Sequence, residues 1–269
     1  MRLSQSFARS LALSCLAVVI VAGAAFAEKF EPRVGQPGKD VVWVPSPQAL
    51  VDRMLDIAKL TPDDFHMDLG SGDGRTVITA AKRGATAVGV EFNPNMVALA
   101  RDNAKQAGVS DRATFIEGDL FQADISKANV ITLFLLPDIN LRLRPKILDL
   151  RPGTRIVSNS FDMGDWTPDQ TIQAGAECTS WCRAHLWIVP AKVGGTWKMP
   201  DGSELTLEQK YQIVTGSLRS GASNMNITTG KVIGDQITFT AGTQQYTGRV
   251  NGNAIEGIAQ TSAGWRATR

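Results

Sequence analysis

A glycine-rich segment that begins with an acid is the part of this sequence best suited to chemistry. It reads Asp68-Leu69-Gly70-Ser71-Gly72-Asp73-Gly74 and joins an apolar run to an amphipathic segment. Its three glycines allow a tight turn and a close approach of the backbone to a ligand. A dinucleotide fingerprint, G-x-G-x-x-G, binds a pyrophosphate, but here the third glycine comes one residue early and a carboxylate precedes the first. The carboxylate favours a cationic ligand without phosphate.

S-adenosylmethionine is such a ligand, since it carries an α-ammonium and a sulfonium. Asp68 would bind the ammonium, directly or through water. Glu91, roughly 20 residues beyond the glycines, is placed to accept both ribose hydroxyls. Asp119 would accept the adenine amino group while Leu120 packs on the ring. The predicted cofactor-binding residues are Asp68, Gly70, Ser71, Gly72, Gly74, Glu91, Asp119 and Leu120.

Each of the three acids also has a structural alternative. Asp68 could cap a turn, Glu91 could be an acid at a helix N-terminus, and Asp119 could be an ordinary loop acid. All three nevertheless follow successive strand-like runs. Ligands of open α/β sheets bind at the carboxyl ends of the strands, so the joint placement favours one binding site.

The elements that must position these residues are visible as an alternation of apolar and amphipathic segments. Asn93 before Pro94 is typical of a helix start and Gly108 of a helix end. Strands that alternate with helices predict a parallel sheet covered on both faces. Strands are predicted at 65–69, 87–90, 113–116, 130–135 and 155–158, and helices at 48–60, 75–83, 94–106 and 141–150.

From about residue 194 the pattern changes to a chain rich in Thr, Gly, Asn and Gln. Alternation of period two at 204–218, 236–240 and 246–250, punctuated by turn residues, predicts an antiparallel β-meander in a small barrel or sandwich. Its aromatic residues would form a core or line a ligand pocket. We therefore predict a leader at 1–27, an α/β domain with the S-adenosylmethionine site at 28–191 and a β-rich domain at 192–269.

The first 27 residues have the layout of a secretory signal peptide. Arg2 and Arg9 precede an apolar run from 11 to 23, and Ala25-Phe26-Ala27 follows as a small-x-small cleavage pattern. We expect export to the periplasm or medium, without a stable membrane span after cleavage. An uncleaved anchor is the alternative. S-adenosylmethionine is made in the cytosol, so an exported enzyme would depend on cofactor that reaches it.

The charge balance of the chain and its metal-ligating residues bear on two kinds of partner, nucleic acid and metal ions. The chain carries 28 Lys and Arg against 26 Asp and Glu, and cleavage after Ala27 would remove two arginines and no acid. A neutral chain gives no electrostatic case for nucleic acid.

Cys178 and Cys182 could pair in an oxidising compartment, although so short a loop could also forbid the bond. No complete zinc ligand set is present, so no metal is predicted.

The segments DLGSGDGR, GVEFNP, GDLF and ITLFLLP, with VPSP at 44–47 before the first helix, resemble class I S-adenosylmethionine-dependent methyltransferases. The likeness is strongest to bacterial relatives of the ATP synthase c-subunit lysine methyltransferase and covers about residues 40–190. The resemblance implies a seven-stranded, mostly parallel sheet with an antiparallel pair near its end. A late strand at 184–189 would belong to that pair. The β-rich tail lies outside the resemblance.

The resemblance also places 132–137 beside the methyl group, with Phe134, Leu135, Leu136 and Pro137 as the predicted catalytic loop. Many amino-methylating enzymes of this fold have a polar Asn/Asp-Pro-Pro-Tyr loop there. The apolar loop here fits a protein lysine or small amine better than a base. Trp43 and Trp166 could hold the cationic side chain or pack in the core. His66 and His185 are expected in the core.

Two further interpretations remain open from the sequence. The chain could be an exported, non-catalytic protein that binds a ligand or partner on a methyltransferase scaffold. A nicotinamide oxidoreductase is a more distant alternative, because the glycine spacing and Asp68 oppose it. The oligomeric state is not predicted.

Overall fold

The computed structural model describes residues 30–258 and 264–269, so the predicted leader at 1–27 lies outside the described residues. Residues Pro32–Arg269 form one compact unit. This unit contains a seven-stranded sheet followed by a closed eight-stranded antiparallel barrel. The predicted fold class is therefore confirmed.

The first part of the unit alternates strands with helices. A segment rich in Pro and Gly, without helix or strand, leads into α1. The elements are α1 Gln48–Ile57, β1 Phe65–Leu69, α2 Arg75–Lys82, β2 Thr86–Glu91, α3 Pro94–Gln106, β3 Ala113–Glu117, β4 Val130–Leu133, α4 Pro137–Leu148, β5 Arg155–Asn159, β6 Gln170–Gln173 and β7 Arg183–Ile188.

The strand order of this sheet is β3-β2-β1-β4-β5-β7-β6. The first five strands in that order are parallel, and β7 runs antiparallel to both β5 and β6. The chain moves outward from β1 through β2 to β3, and then returns to the other side of β1 with β4. This reversal is a topological switch point, where open α/β sheets bind their ligands. Asp68 in β1 is in register with Thr132 in β4 at this point.

Helices cover both faces of the sheet, which explains why the central strands β1, β2, β4 and β5 are mainly buried. On one face, Leu143 and Ile147 of α4 pack with Leu69 and Ile131. On the other face, α1, α2 and α3 contribute to cores that include Val51, Val77, Val97 and Ala87 and Leu50, Met54 and Val157.

The barrel strands are β8 Gly195–Lys198, β9 Glu204–Lys210, β10 Ile213–Ser220, β11 Ser223–Ile233, β12 Gln236–Ala241, β13 Gln244–Asn251, β14 Ala254–Gly257 and β15 Arg266–Thr268. Trp197, Phe239, Tyr246 and Trp265 are all buried. The Phe239 and Tyr246 rings stack at 4.9 Å, and Trp265 meets both edge-on. These aromatic side chains fill the barrel as a packed core.

Some element boundaries differ from the sequence prediction. Helix α4 begins at Pro137, four residues earlier than expected, because proline is well tolerated in the first turn of a helix. Strand β4 correspondingly ends at Leu133 instead of residue 135. The alternating run at 204–218 comprises most of the hairpin of β9 and β10, in which the chain reverses at Tyr211 with a positive φ of 55°. The longest barrel strand, β11, was not predicted.

The sheet and barrel contact each other through Asp165, Trp166 and Tyr211. The Tyr211 ring stacks on Trp166 with centroids 5.8 Å apart. Its hydroxyl donates a hydrogen bond to Asp165 Oδ1 at 2.8 Å. Asp165 also pairs with Arg144 and Lys210, and these hydrogen bonds hold the pKa of its carboxyl well below the usual range.

No helix of the described part of the chain has the length and apolarity needed to cross a membrane.

Candidate active site

A pocket of about 270 Å³ opens at the switch point of the sheet. The ends of β1, β2 and β4 form its floor, and residues 36–46 of the lead-in segment form one wall. Of the residues predicted from sequence, those that line it are Asp68, Gly70, Ser71, Gly72, Glu91, Asp119, Leu120, Phe134, Leu135 and Leu136. Gly74 and Pro137 are not among the lining residues.

Asp68 is a buried carboxylate on the pocket floor. Its Oδ1 accepts a hydrogen bond of 2.5 Å from the Thr132 hydroxyl. Burial raises the pKa of Asp68 to about 7, the Thr132 hydrogen bond opposes this shift, and the nearby carboxylates of Asp73 and Glu91 add to it. A carboxylate that is costly to ionise gains by receiving a cation, so Asp68 is prepared for an ammonium group.

His66 lies behind this pair and does not reach the pocket. Its Nε2 is 2.9 Å from Thr132 Oγ1. Because the single hydroxyl proton of Thr132 is donated to Asp68, Nε2 carries the proton and donates to Thr132. Burial lowers the pKa of His66 to about 3, so the ring is neutral. Its role is to orient Thr132, in agreement with the predicted core position.

The glycine-rich loop is held against β2. The amides of Gly70 and Ser71 both donate to the Val90 carbonyl, at 2.8 and 3.0 Å. Gly72 has φ 53°, and a Cβ there would lie 2.6 Å from Trp43 Nε1. Trp43 therefore covers the loop and lines the pocket. Gly74 has φ 82°, and a Cβ there would lie 2.6 Å from the Phe115 ring, so it permits the packing of α2 against β3.

Glu91 joins the loops that follow β1 and β2. Its Oε2 accepts the Gly72 amide at 3.0 Å, and its Oε1 accepts the Asn93 amide at 2.9 Å. Each carboxylate oxygen retains a further acceptor site. Glu91 thus fixes the shape of the pocket floor and can still accept hydroxyl groups of a ligand.

Asp119 has a partner that the sequence did not indicate. Its Oδ2 pairs with Lys39 Nζ at 2.6 Å, and its Oδ1 accepts the Phe121 amide at 2.9 Å. The Lys39 hydrogen bond is the main cause that lowers the pKa of Asp119. Lys39 also lies 4.9 Å from the Phe92 ring centroid. The lead-in segment is thereby linked to the acid predicted to recognise adenine.

Apolar side chains form the mouth of the pocket. Leu136 is 42 % exposed and Trp181 is 43 % exposed, and both line the pocket. Phe134 contacts Phe161 and Trp181, with centroids 6.1 and 5.6 Å away. Leu135 lines the pocket but is otherwise buried in the core of the sheet. Of the predicted loop, Phe134 and Leu136 are therefore the side chains presented at the mouth.

Phe161 and Trp181 were not predicted as site residues. Trp181 lies between Cys178 and Cys182, which form a disulfide with Cα atoms 5.7 Å apart. The two residues follow different strands, and no sequence spacing connects them with Phe134. Trp166, one of the two tryptophans suggested for cation binding, is fully buried against Trp187 and Tyr211. That suggestion was wrong for Trp166, which packs in the core.

The pocket residues fit S-adenosylmethionine on three observations. Asp68 supplies a carboxylate whose ionisation a cation would favour. Glu91 supplies oxygens with acceptor capacity left for hydroxyl groups. The buried Ser71 hydroxyl has no hydrogen-bond partner among the described residues, and an unpartnered buried group of this kind indicates a site for a ligand. Together with the sheet order, these features define a class I S-adenosylmethionine-dependent methyltransferase.

Comparisons with known proteins agree with this class. The sequence profile of the ANTKMT methyltransferase domain matches residues 68–170. A protein-lysine N-methyltransferase of Saccharolobus islandicus is 46 % identical over 136 residues, which cover 49 % of this chain and 84 % of that protein. The mouse enzyme that methylates lysine in the c-subunit of ATP synthase is 40 % identical over 43 % of this chain, and the chain spans 47 % of its length.

A solved structure extends the comparison. A protein from Salinibacter ruber, described as an RNA methyltransferase in complex with S-adenosyl-L-homocysteine, is 48 % identical with a TM-score of 0.52. The match covers 56 % of this chain and 96 % of that one. The chain belongs to the S-adenosylmethionine-dependent methyltransferase family that contains these proteins. It is a methyltransferase, and S-adenosylmethionine is its cofactor.

Proposed function

We propose that this enzyme transfers a methyl group to the ε-amine of lysine in a protein. The observation that carries the proposal is the apolar mouth of the pocket, where Phe134, Leu136 and Trp181 are presented. An acceptor that is a planar base or amide would need a polar group there to orient it. A lysine side chain instead needs an apolar channel that removes water from its amine. The names of the Saccharolobus and mouse relatives support lysine as the acceptor.

The residues of the pocket divide into binding and alignment roles. Asp68 and Glu91 would hold the cofactor, and the Ser71 hydroxyl would add a hydrogen bond. When bound, S-adenosylmethionine supplies a methyl group on a sulfonium, whose sulfur leaves as a neutral thioether without needing an acid. The protein must therefore align the nucleophile and exclude water. Correct alignment of two reactants supplies roughly 7–11 kcal/mol of the barrier reduction.

Before it can attack, a lysine amine must release one proton to solvent. For an amine with a pKa of about 10.4, this costs about 4–5 kcal/mol at pH 7. Desolvation disfavours the charged form of an amine and lowers its pKa. The side chains of Phe134, Leu136 and Phe161 at the mouth reduce the cost in this way. Proton release then requires no dedicated base.

The experiment is transfer of a labelled methyl group from S-adenosylmethionine by the purified protein. Three acceptors are compared: randomised decapeptides with one central lysine, the same library with norleucine instead of lysine, and total RNA. We expect label in the lysine library, recovered as methyl-lysine by mass spectrometry. Label in RNA alone would contradict the proposal. Binding of cofactor without transfer to any acceptor would favour a non-catalytic protein.

We also propose that the enzyme acts after export. The leader-like sequence at 1–27 supports this, as does the Cys178–Cys182 disulfide, since such bonds persist mainly in oxidising compartments. Cell fractionation and the N-terminal mass of the recovered protein test the proposal. A reduced protein that retains Met1 in the cytosol would contradict it.

A further inference from the structure

Three aromatic rings from distant parts of the chain meet at the pocket mouth. Phe134 follows β4, Phe161 follows β5, and Trp181 lies in the loop between β6 and β7. Their ring centroids form a triangle with sides of 6.1, 5.6 and 5.6 Å. The rings contact one another and make a continuous surface, which we name the aromatic platform (Phe134, Phe161 and Trp181). All three line the same pocket as Asp68.

Trp181 keeps much of its surface exposed although it contacts two other aromatic rings. Trp181 is 43 % exposed, although Phe134 and Phe161 pack against it. An exposed aromatic side chain beside a ligand pocket can receive a cation, because the face of an aromatic ring is electrostatically negative. Trp binds cations more strongly than Phe or Tyr. The platform therefore has the chemistry of a site for an alkylammonium group.

The backbone around Trp181 is fixed from both sides. The disulfide joins Cys178 to Cys182, so that Trp181 belongs to a closed ring of five residues. The Ala174 amide donates to the Cys182 carbonyl at 2.7 Å, which ties this ring to the β6–β7 hairpin. Trp181 itself adopts a φ of 54°, a conformation that non-glycine residues rarely hold without surrounding support.

The partner ring of Phe161 is tied to the same hairpin. The Ser160 amide donates to the Arg183 carbonyl at 2.8 Å, one residue beyond the disulfide. Ser160 also has a positive φ, of 60°, which turns the chain after β5. Phe161 and Trp181 thus come from backbone segments that are joined at Arg183.

We propose that the aromatic platform is the acceptor subsite, where Trp181 captures the lysine ammonium at the rim of the pocket before the amine releases its proton to solvent and enters the apolar mouth, and that the Cys178–Cys182 disulfide holds Trp181 in place for this. The inference rests on the proposed function, because it requires a cationic acceptor. It assigns to Trp181 the binding of the acceptor and leaves cofactor binding to Asp68 and Glu91. The acceptor and cofactor affinities should therefore respond to different substitutions.

The test uses steady-state methylation of the lysine decapeptide library and calorimetry with S-adenosylmethionine. Trp181→Leu keeps an apolar side chain but removes the aromatic face. We expect the KM for the peptides to rise about five- to thirtyfold, which corresponds to the range of a partly desolvated cation–π contact. The Kd for S-adenosylmethionine should be unchanged. Trp181→Phe retains a ring and should recover most of the loss. Ile213→Ala, an exposed apolar residue of the barrel, is the matched control.

The disulfide is tested with the double variant Cys178→Ser/Cys182→Ser and with wild type treated with a phosphine reductant. Both should raise the peptide KM several-fold at unchanged cofactor Kd, and the double variant should not respond further to reductant. Equal KM values for wild type, Trp181→Leu and Trp181→Phe would overturn the acceptor subsite. An unchanged KM after loss of the disulfide would overturn its positioning role. Absence of lysine methylation by wild type would instead reject the proposed function itself.

Discussion

Replacing Asp68 by Asn should stabilise the folded protein and at the same time impair cofactor binding. Asp68 is 7 % exposed, and its carboxylate faces the nearby negative charges of Asp73 and Glu91. Without a bound cation, the folded protein must keep this group ionised at pH 8 in a poorly solvated position. Asn has nearly the same shape and can still accept the Thr132 hydrogen bond, but it carries no charge.

The size of the effect follows from the pKa of Asp68, which burial raises from 3.8 to about 7. The unfolded chain releases this proton near pH 4, whereas the folded protein keeps it until about pH 7. Between these values the folded state binds more protons, so the free energy of unfolding falls as pH rises. About three pH units at 1.36 kcal/mol each give about 4 kcal/mol. This destabilisation is complete above pH 7 and absent below pH 4.

The assay is thermal unfolding of the cofactor-free protein at pH 8 and at pH 4. At pH 8, Asp68→Asn should raise Tm by about 8–16 °C, since 1 kcal/mol shifts Tm by about 2–4 °C in chains of this size. At pH 4 the two proteins should unfold at similar temperatures. Asp111→Asn removes an exposed carboxylate and should leave Tm unchanged at both pH values.

The effect of the same substitution on the affinity for S-adenosylmethionine is measured by calorimetry. Asp68→Asn should weaken S-adenosylmethionine binding about thirtyfold or more, because a charge-assisted hydrogen bond is lost. Wild-type affinity should fall roughly tenfold per pH unit below pH 7 as Asp68 protonates, and the variant should lack this dependence. His66 stays neutral because burial lowers its pKa to about 3. Two results would refute this prediction. One is a lower Tm for Asp68→Asn than for wild type at pH 8. The other is an affinity of Asp68→Asn for S-adenosylmethionine equal to that of wild type.

Two further substitutions test other parts of the site. Glu91→Ala leaves the amides of Gly72 and Asn93 without their acceptor, so we expect a loss of about 1–3 kcal/mol in unfolding free energy together with weaker cofactor binding. Denaturant unfolding measures the loss of stability and calorimetry measures the cofactor affinity. No change in either quantity would contradict the role of Glu91 in joining the loops after β1 and β2. Trp166→Ala should cost about 3–5 kcal/mol, as expected for a large buried side chain. Loss of peptide methylation without loss of stability would show that Trp166 binds the acceptor after all.

The cofactor half of the site could be predicted from the sequence because its residues are local to strand ends. A carboxylate, three glycines and a following amphipathic segment specify a strand, a tight loop and a helix within about a dozen residues, each set by local propensity. Asp68 lies near the end of a predicted strand and Glu91 and Asp119 each follow one, and parallel strands bring their carboxyl ends to one edge. The alternation of elements therefore placed all three acids in one pocket.

Interactions between distant residues could not be predicted in this way. The Asp119–Lys39 pair joins residues separated by 80 positions, and nothing near Lys39 indicates its partner. Glu91 joins two loops by accepting hydrogen bonds from two backbone amides, and backbone amides carry no sequence signature. The pKa of Asp68 is raised by burial, which depends on how the surrounding elements pack.

The fold class and the grouping of Asp68, Glu91 and Asp119 in one pocket could be predicted from the sequence, because hydrophobic period, glycine spacing and the ends of strands are local properties of the chain. The residues that form the mouth of the pocket, by contrast, are brought together only in the tertiary structure. Phe134, Phe161 and Trp181 meet because β7 pairs with both β5 and β6 and because a disulfide closes the intervening loop. Strand pairing of this kind is chosen by burial over the whole sheet. The closed barrel likewise depends on pairing among eight strands, of which β8, β14 and β15 have only four, four and three residues and are too short to be recognised singly.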